Sequence, residues 1–341
     1  MNFHKLKSTL KDLGEPNFRY KQIVSAFCAN GVLDYSQISN IPKKLAEDLK
    51  EKVKSRSFSV EKIYSANNNF SFKARLKLND GELIETVFLS PAPGVWSACV
   101  SSQVGCRLAC KFCATGQKGF KRNLSSEEII DQIIFWKHFL RAKKLNGNFL
   151  NIIFMGMGEP FMNWEEVKNA IKQLIDPDFF NFGSRHISVS TSGDCLGIKK
   201  IAKEFSQVNL AVSLIFAEDN LRSEYMPINR KFNLKKLQLA ISSYLEKTNR
   251  KVFLEYVMLK GINDDLTQAN NLINFIETIE NGKKLLHVNL INYNTTMAEF
   301  VPSDASTVNK FKNYLLRKNI KTTIRKSLGD EIKGACGQLA G

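Results

Sequence analysis

The sequence is poor in histidine and contains no long run of apolar residues. Its four histidines, His4, His138, His186 and His287, fall at predicted helix or strand positions, and no two of them have metal-ligand spacing. No segment approaches the run of about 18 apolar residues that a membrane-spanning helix needs, and lysines interrupt the N-terminal region. These absences predict a cytoplasmic protein with no signal peptide and no membrane association.

Disulfide bonds are not expected either. The chain has seven cysteines, which is an odd number, and it shows no secretion signal. Secreted domains that depend on disulfides usually carry an even set of cysteines. The thiols of this chain are therefore expected to be free for metal binding or for chemistry. Cys28 and Cys195 match no motif, and we expect them to be ordinary buried thiols.

Three cysteines, Cys106, Cys110 and Cys113, lie close together in the segment CRLACKFC. A structural zinc usually has four protein ligands, and a 4Fe-4S cluster is ordinarily held by four thiolates. Three cysteines in one loop would leave one iron open to a small molecule. The spacing resembles that of the radical S-adenosylmethionine (SAM) enzymes, which implies a 4Fe-4S cluster and SAM as cofactors. The alternative is a zinc site completed by a distant histidine, and the rest of the chain argues against it.

The charge of the chain indicates a polyanionic partner. The formal net charge is +16, from 49 basic and 33 acidic residues. Lysine and arginine release counterions from phosphates, so such an excess favours nucleic-acid binding. Residues 1–80 alone carry 15 basic and 8 acidic residues. The alternative is the lysine-rich composition that an AT-rich genome produces, and charge alone does not decide between the two.

The pattern along the chain predicts three parts. Residues 1–80 are expected to form a small basic accessory domain that binds RNA. Residues 81–95 are expected to form a linker and an edge strand, because Pro91, Pro93 and Gly94 mark a loop. Residues 96–341 are expected to form the catalytic core with a C-terminal tail.

The predicted core alternates strand and helix patterns. The predicted strands are Trp96–Val100, Phe149–Met155, His186–Ser190, Val208–Leu214, Val252–Met258 and Leu285–Ile291. Six βα units in series predict a parallel sheet with right-handed crossovers. A closed eight-unit barrel would need two more units, so we expect an α/β fold of the open (β/α)6 partial TIM barrel type. Such sheets bind ligands at the carboxyl ends of their strands, and the cysteine loop follows the first strand.

Two of the predicted helices have recognisable start signals. Ser125 and Glu128 have the spacing of a capping box before an isoleucine-rich stretch. Asn163 and Glu166 stand in a similar relation at the start of the next helix. Both pairs predict that the N-cap side chain accepts a hydrogen bond from the first turn.

Residues at successive strand ends resemble the SAM-binding positions of the radical SAM superfamily. MGMGEP, at 155–160, matches the superfamily's glycine-rich segment, which implies that Gly158 and Glu159 receive the SAM amino group. The other strand-end residues with an implied SAM contact are Ser190, Ser213, Leu214, Ile215 and Asn294. Each signal alone is compatible with a simple turn, and their recurrence at successive strand ends favours the cofactor site.

The chain also resembles the RlmN/Cfr family of radical SAM RNA methyltransferases over nearly its whole length. The stretches that carry the resemblance are ACVSSQVGCRLACKFCATGQKGF at 98–120, MGMGEP at 155–160, YMPINRKF at 225–232, LEYVML at 254–259, HVNLI at 287–291 and ACGQLAG at 335–341. The resemblance implies methylation of carbon-2 of an adenosine in 23S rRNA and tRNA. It also implies an electron donor such as a flavodoxin or ferredoxin system, and we expect a monomer.

The resemblance also implies a role for three residues. Cys336 would take a methyl group from one SAM molecule and pass it to the base after a second SAM has been cleaved to a radical. Cys99 would then attack the Cys336 sulfur and release the base through a transient disulfide. Glu85 matches the carboxylate implicated in removing the ring proton, and Cys99 is the other candidate for that step.

Two of the chain's departures from the family pattern fall at the predicted SAM positions. Ile215 stands where the family usually has histidine, which removes one side-chain contact to SAM. The loop Asn292–Thr295 lacks the two prolines that the family usually has there, and Asn294 is kept.

Two other functions remain compatible with the sequence. The first is the related methylation of carbon-8 of the same ribosomal adenosine, which confers antibiotic resistance and uses the same cysteines. The second is a non-enzymatic RNA-binding or assembly factor that keeps the cluster as a structural element.

Overall fold

Ten strands of residues 1–340 form one open mixed sheet, and two more form a separate two-stranded antiparallel sheet. The computed structural model describes residues 1–340, so Gly341, the last residue of the C-terminal motif, lies outside the described residues. The strands are β1 Phe58–Ser65, β2 Ser71–Leu78, β3 Leu83–Ala92, β4 Val95–Cys99, β5 Gln103–Gly105, β6 Phe120–Asn123, β7 Asn148–Phe154, β8 Ile187–Thr191, β9 Asn209–Ser213, β10 Val252–Met258, β11 Leu286–Asn292 and β12 Thr322–Arg325.

Helices cover the termini and connect the parallel strands. The α-helices are α1 Phe3–Asp12, α2 Asn17–Cys28, α3 Lys43–Lys52, α4 Ala114–Gln117, α5 Ser126–Ala142, α6 Trp164–Ile175, α7 Cys195–Glu204, α8 Asp219–Tyr225, α9 Leu234–Thr248, α10 Leu266–Glu277, α11 Gly282–Leu285 and α12 Ala305–Arg317. Within residues 1–340, no helix is long and apolar enough to cross a membrane.

The large sheet has an antiparallel part and a parallel part. Its strand order is β1-β2-β3-β4-β7-β8-β9-β10-β11-β12. The pairs from β1 to β4 are antiparallel, and the pairs from β4 to β12 are parallel. The six predicted strands are all present, and the open α/β architecture is confirmed. The sequence pattern missed β12, because four residues with only one apolar side chain give no recognisable strand signal.

We expected an edge strand within residues 81–95, and this prediction is wrong. β3 lies inside the sheet, between β2 and β4, and β1 is the edge strand. Most of β3 is buried, since both of its faces are covered. The antiparallel strands of the N-terminal part therefore continue the sheet of the core directly. The division of the chain into an accessory domain and a core stays a prediction.

An aromatic stack joins the antiparallel strands to the core. Phe88 on β3 is fully buried and stacks on Trp96 of β4 and on Trp136 of α5, with ring centroids 4.8 and 5.1 Å away. The Trp136 indole also donates a hydrogen bond to the Thr86 hydroxyl, at 3.0 Å. The N-terminal helices pack on the same region, where Lys137 Nζ donates to the carbonyl oxygen of Cys28 at 2.6 Å.

Both predicted helix starts are confirmed, but only one of them has the predicted capping hydrogen bond. α5 begins with the complete capping box of Ser125 and Glu128. The side chain of Asn163 makes no capping bond at the start of α6. Its amide instead donates to the carbonyl oxygens of Ser102 and Leu124, at 2.8 and 2.7 Å, because the neighbouring loop offers two buried acceptors.

Candidate active site

The three-cysteine loop lies at the carboxyl end of the parallel sheet, between β5 and α4. Cys110 is buried, and Cys106 and Cys113 are half-buried. Ala109 has a left-handed backbone with φ of 50°, which turns the chain between the first two cysteines. The Lys111 amide donates to the carbonyl oxygen of Tyr225 at 3.0 Å, so α8 supports the loop from the next layer.

The donor set of this loop fits an iron-sulfur cluster. The three thiols of Cys106, Cys110 and Cys113 line one cavity, which we call the first cavity. Within residues 1–340, no group of three or more His, Cys, Asp and Glu side chains is arranged to hold a single metal ion. A 4Fe-4S cluster does not require such an arrangement, because each thiolate binds a different iron. Burial raises the pKa of Cys106 to about 12, so its thiolate needs a bound metal to be stable at neutral pH.

The first cavity brings together most of the residues predicted to contact SAM. Its walls contain Gly158, Glu159, Ser190, Ser213 and Ile215 beside the three cysteines. These residues come from the ends of neighbouring parallel strands, as the fold predicts. Their individual contacts with SAM stay predictions.

Glycine is required at position 158 by both backbone angle and space. Its φ is 100°, a region that side chains rarely adopt. A Cβ atom there would lie 2.5 Å from Cβ of Gln103. Gln103 in turn fixes the turn, because its Oε1 accepts a hydrogen bond from the Glu159 amide at 2.9 Å.

Glu159 is a buried carboxylate that is held by backbone amides. Its side chain accepts hydrogen bonds from the amides of Ser192, at 2.8 Å, and Phe161, at 3.3 Å. Burial is the main cause that raises the pKa of Glu159 to about 7, and these hydrogen bonds oppose the rise. The carboxylate therefore connects the glycine-rich turn to the end of β8.

The segment after β9 holds two of the predicted residues in different ways. Ile215 lines the first cavity with φ of 57°, an uncommon conformation for a β-branched residue, and its carbonyl accepts from the Asn263 amide group at 2.9 Å. The Leu214 side chain is fully buried and does not line the first cavity. The backbone of this segment, rather than the Leu214 side chain, therefore shapes the cavity.

A second cavity adjoins the first and contains the other two predicted cysteines of the site. Cys99, Asn294 and Arg325 line it, and Cys336 lines both cavities together with Cys113. Asn294, which we expected to contact SAM, donates from Nδ2 to the carbonyl oxygen of Cys336 at 3.1 Å. Its predicted SAM contact stays a prediction, and its contact in the structure is with the tail.

Hydrogen bonds attach the C-terminal tail to the cysteine loop. The Ala114 amide donates to the carbonyl oxygen of Gly337 at 2.8 Å. The Thr115 hydroxyl donates to the carbonyl oxygen of Leu339 at 2.5 Å. Both donors directly follow Cys113, so the position of Cys336 is coupled to that of the cysteine loop.

Glu85 lies beneath the tail and is engaged with two partners. Its carboxylate forms a buried ion pair with Lys73, at 2.8 Å, and accepts a hydrogen bond from the Ala340 amide at 2.9 Å. Lys73 Nζ also donates to the carbonyl oxygen of Lys333 at 3.2 Å. Glu85 is not among the residues that line the two cavities, so its predicted catalytic role stays a prediction.

The two predicted catalytic thiols have different surroundings. Cys336 is exposed and Cys99 is buried. Burial is the largest cause that raises the pKa of Cys99 to about 12, and the neighbouring Cys336 adds to the rise. Arg325 opposes it. Cys336 is in turn the largest cause that raises the pKa of the Arg325 guanidinium. These mutual effects place Cys99, Cys336 and Arg325 in one electrostatic group.

Sequence reasoning missed the cations of this site. Arg325 lies on β12, which no pattern predicted, and its Nη1 lies 3.4 Å from Oε2 of Glu255. Lys73 lies on β2 and entered the sequence analysis only as one of the 15 basic residues of positions 1–80. A lone lysine or arginine carries no local motif, so only the strand pairing reveals that these side chains reach the tail.

Comparisons with known proteins agree with this geometry. The family model "Radical SAM superfamily" matches residues 100–269. A protein of Clostridium botulinum, "Ribosomal RNA large subunit methyltransferase Cfr", is 37% identical over 338 residues, which cover 99% of this chain and 96% of that protein. A protein of Chloroflexus aurantiacus, "Probable dual-specificity RNA methyltransferase RlmN", is 39% identical over 345 residues, which cover 100% of this chain and 91% of that protein.

A solved structure is similar over the whole fold. The crystal structure of a radical SAM methyltransferase from Sphaerobacter thermophilus superposes with a TM-score of 0.93 at 35% sequence identity. The match covers 99% of this chain and 97% of the other. The chain therefore belongs to the radical SAM superfamily, in the family that contains the Cfr and RlmN methyltransferases.

Proposed function

We propose that the chain methylates carbon-2 of an adenosine in 23S rRNA and in tRNA, with Cys336 as the carrier of the methyl group. The observation that supports this most strongly is the position of Cys336 in the walls of both cavities. A thiol in that position is accessible from the cofactor side and from the side of Cys99. The names of the similar RlmN and Cfr proteins support RNA as the substrate.

The chemistry of the base explains why a carrier is needed. Carbon-2 of adenine is an aromatic carbon that bears only hydrogen, so it is no nucleophile for direct methyl transfer from SAM. The cofactors of this family are a 4Fe-4S cluster and SAM. Together they supply a methyl group and, when one electron is provided, a radical that can abstract hydrogen from an unactivated methyl group. Cys106, Cys110 and Cys113 would hold the cluster. An external donor such as a flavodoxin or ferredoxin would supply the electron.

Cys336 carries the methyl group and the base, and Cys99 releases the base. Cys336 is exposed and accepts the methyl group as a thioether, and it then holds the base through a carbon–sulfur bond. Cys99 releases the base: its thiolate attacks the Cys336 sulfur and a disulfide forms. The carbon–sulfur bond breaks with its electron pair left on the methylene carbon, which takes up a proton and becomes the methyl group of the product. Because burial disfavours the Cys99 thiolate, Arg325 is the cation that can assist its formation.

Removal of the ring proton is assigned to Glu85, with Cys99 as the alternative base. The carboxylate of Glu85 is paired with Lys73 and with the Ala340 amide, so it must exchange a partner before it can accept a proton. Displacement of the tail by a bound base would provide that exchange, since the tail supplies the Ala340 amide.

Basic groups near the second cavity suit an RNA substrate. Arg325 and Lys326 line the cavity, and the excess of basic residues in 1–80 can neutralise further phosphates. An adenosine must leave its stack to reach Cys336, as with other base-modifying enzymes. We further propose that the protein works in the cytoplasm as a monomer.

The carbon that is methylated can be identified by digesting treated RNA to nucleosides and separating them by chromatography and mass spectrometry. We expect 2-methyladenosine from both 23S rRNA and tRNA, and no product from a Cys336→Ala control. A product that is only 8-methyladenosine would contradict the proposal and would favour the alternative, methylation of carbon-8 of the ribosomal adenosine.

Replacement of Cys99 by alanine should trap the RNA on the protein. The methyl carrier can still form, but no thiolate can break the bond between Cys336 and the base. We expect a covalent protein–RNA adduct on denaturing gels and loss of free methylated product. Cys28→Ala, which removes a buried thiol outside both cavities, is the matched control and should leave the RNA free. Normal methylation by the Cys99→Ala protein would refute the two-cysteine scheme.

The role of Glu85 can be separated from its ion pair with Lys73. Glu85→Gln and Lys73→Met each remove the pair, but only the first removes a proton acceptor. General bases typically contribute about 10²–10⁴-fold in rate. We therefore expect single-turnover methylation to fall at least ~100-fold with Glu85→Gln and less than ~10-fold with Lys73→Met. Equal losses would mean that Glu85 only holds the tail.

The pKa of Cys99 predicts how its reactivity depends on pH. Burial raises that pKa to about 12, so the thiolate fraction should rise about tenfold per pH unit below it. Burial, the largest cause of the raised pKa, remains in the Cys336→Ala protein, so alkylation of Cys99 by iodoacetamide there should keep rising steeply from about pH 7 to 10. In denaturant, the alkylation rate of the same protein should level off above the ordinary cysteine pKa of about 8.5. A plateau at that pH in the folded protein would contradict the prediction.

A further inference from the structure

Arg222 is a buried cation that neither the sequence motifs nor the proposed chemistry uses. It lies in the last turn of α8 and has no exposed surface. Moving a charged side chain out of water costs several kcal/mol unless the fold provides compensation. The position of this charge therefore requires a physical reason.

The guanidinium of Arg222 binds only neutral oxygen atoms. Nε donates to the carbonyl of Leu214 at 3.2 Å, and Nη2 donates to the carbonyl of Ser192 at 2.5 Å. Nη1 donates to Oδ1 of Asn229 at 2.9 Å. These bonds satisfy the donors but do not neutralise the charge. No ion pair with a carboxylate within 4.0 Å is found for this residue among residues 1–340.

Two of these acceptors place Arg222 directly behind the wall of the first cavity. Ser192 itself lines the cavity, and Leu214 lies between two lining residues, Ser213 and Ile215. One side chain thus joins the ends of β8 and β9 at the proposed cofactor site. The backbone is adapted to it, since Gly193 has φ of 112° and a Cβ atom there would lie 2.9 Å from Nη2.

The helix that carries Arg222 also contacts the cysteine loop, because the carbonyl of Tyr225 accepts a hydrogen bond from the amide of Lys111, next to Cys110, at 3.0 Å. Burial lowers the pKa of Arg222 to about 10, and Cys110 is the largest opposing influence, followed by Cys195 and Asp219. The carboxylate of Asp219 does not touch Arg222, because Asn229 lies between them, accepting from Arg222 and donating to Asp219 Oδ1 at 2.9 Å. The thiolates of a bound cluster would add negative charge on the other side of Arg222, in the cavity whose wall it supports.

We propose that Arg222 is the counter-charge of the cluster bound by Cys106, Cys110 and Cys113, and that it makes this cluster easier to reduce. A buried positive charge near the thiolates favours the redox state with one more electron. The rigid fork of hydrogen bonds keeps that charge in place. Arg222 is thus a positioning residue that acts through the cluster. The inference rests on the cluster of this family and not on which carbon of the base is methylated.

The test is a potentiometric titration of anaerobically reconstituted protein, followed by electron paramagnetic resonance, without RNA. Arg222→Gln removes the charge and should shift the midpoint potential to a more negative value. Arg222→Lys keeps the charge, so its midpoint potential should stay closer to that of the parent protein. Asn229→Asp leaves Arg222 in place and adds a carboxylate beside it, so it should also lower the potential. Iron and sulfide content measured on each sample corrects for lost cluster.

The outcomes separate the possibilities. A lower midpoint potential for Arg222→Gln and Asn229→Asp at normal iron content supports the inference. An unchanged potential overturns it. If Arg222→Gln does not fold, the Asn229→Asp titration decides by the same criterion. A purely structural role would lower iron content without moving the potential of the cluster that remains. Failure of the parent protein to bind a cluster would instead refute the cofactor assignment.

Discussion

The hydrogen bond from the Ala114 amide to the Gly337 carbonyl sets the geometry on which the site depends. Ala114 directly follows Cys113, and Gly337 directly follows Cys336. The bond therefore holds the proposed cluster ligand Cys113 and the proposed methyl carrier Cys336 at neighbouring positions in two different segments. It is one of several contacts that fix the tail relative to the first cavity. The Thr115 hydroxyl and the Asn294 amide support the same arrangement from either side.

The N-terminal strands take part in this arrangement as well. Lys73 lies on β2 and Glu85 on β3, and both contact the tail from beneath. A buried ion pair contributes little net stability, because desolvation offsets most of its attraction. Its value here is in position, since it fixes where the last residues of the tail lie. The N-terminal strands thus support the tail that carries Cys336, in addition to the proposed role of the basic N-terminal part in RNA binding.

The sequence was sufficient for features with a local signal. The cysteine spacing, the glycine-rich turn and six hydrophobic strands are short-range patterns, and the structure places them as predicted. It was insufficient where tertiary pairing decides. β12 is too short to show a pattern, and β3 was taken for an edge strand because turn residues follow it. Arg222 and Arg325 carry no motif, and their roles follow only from what the folded chain brings next to them.

The two cavities share part of their lining, including Cys113 and Cys336. An occupant of one cavity therefore changes the surface that the other presents. Thermodynamic linkage then requires reciprocity: if the cofactor strengthens binding of the nucleic acid, the nucleic acid strengthens binding of the cofactor by the same factor. The shared wall thus makes the affinity of each cavity for its occupant depend on the other, whichever of the two binds first.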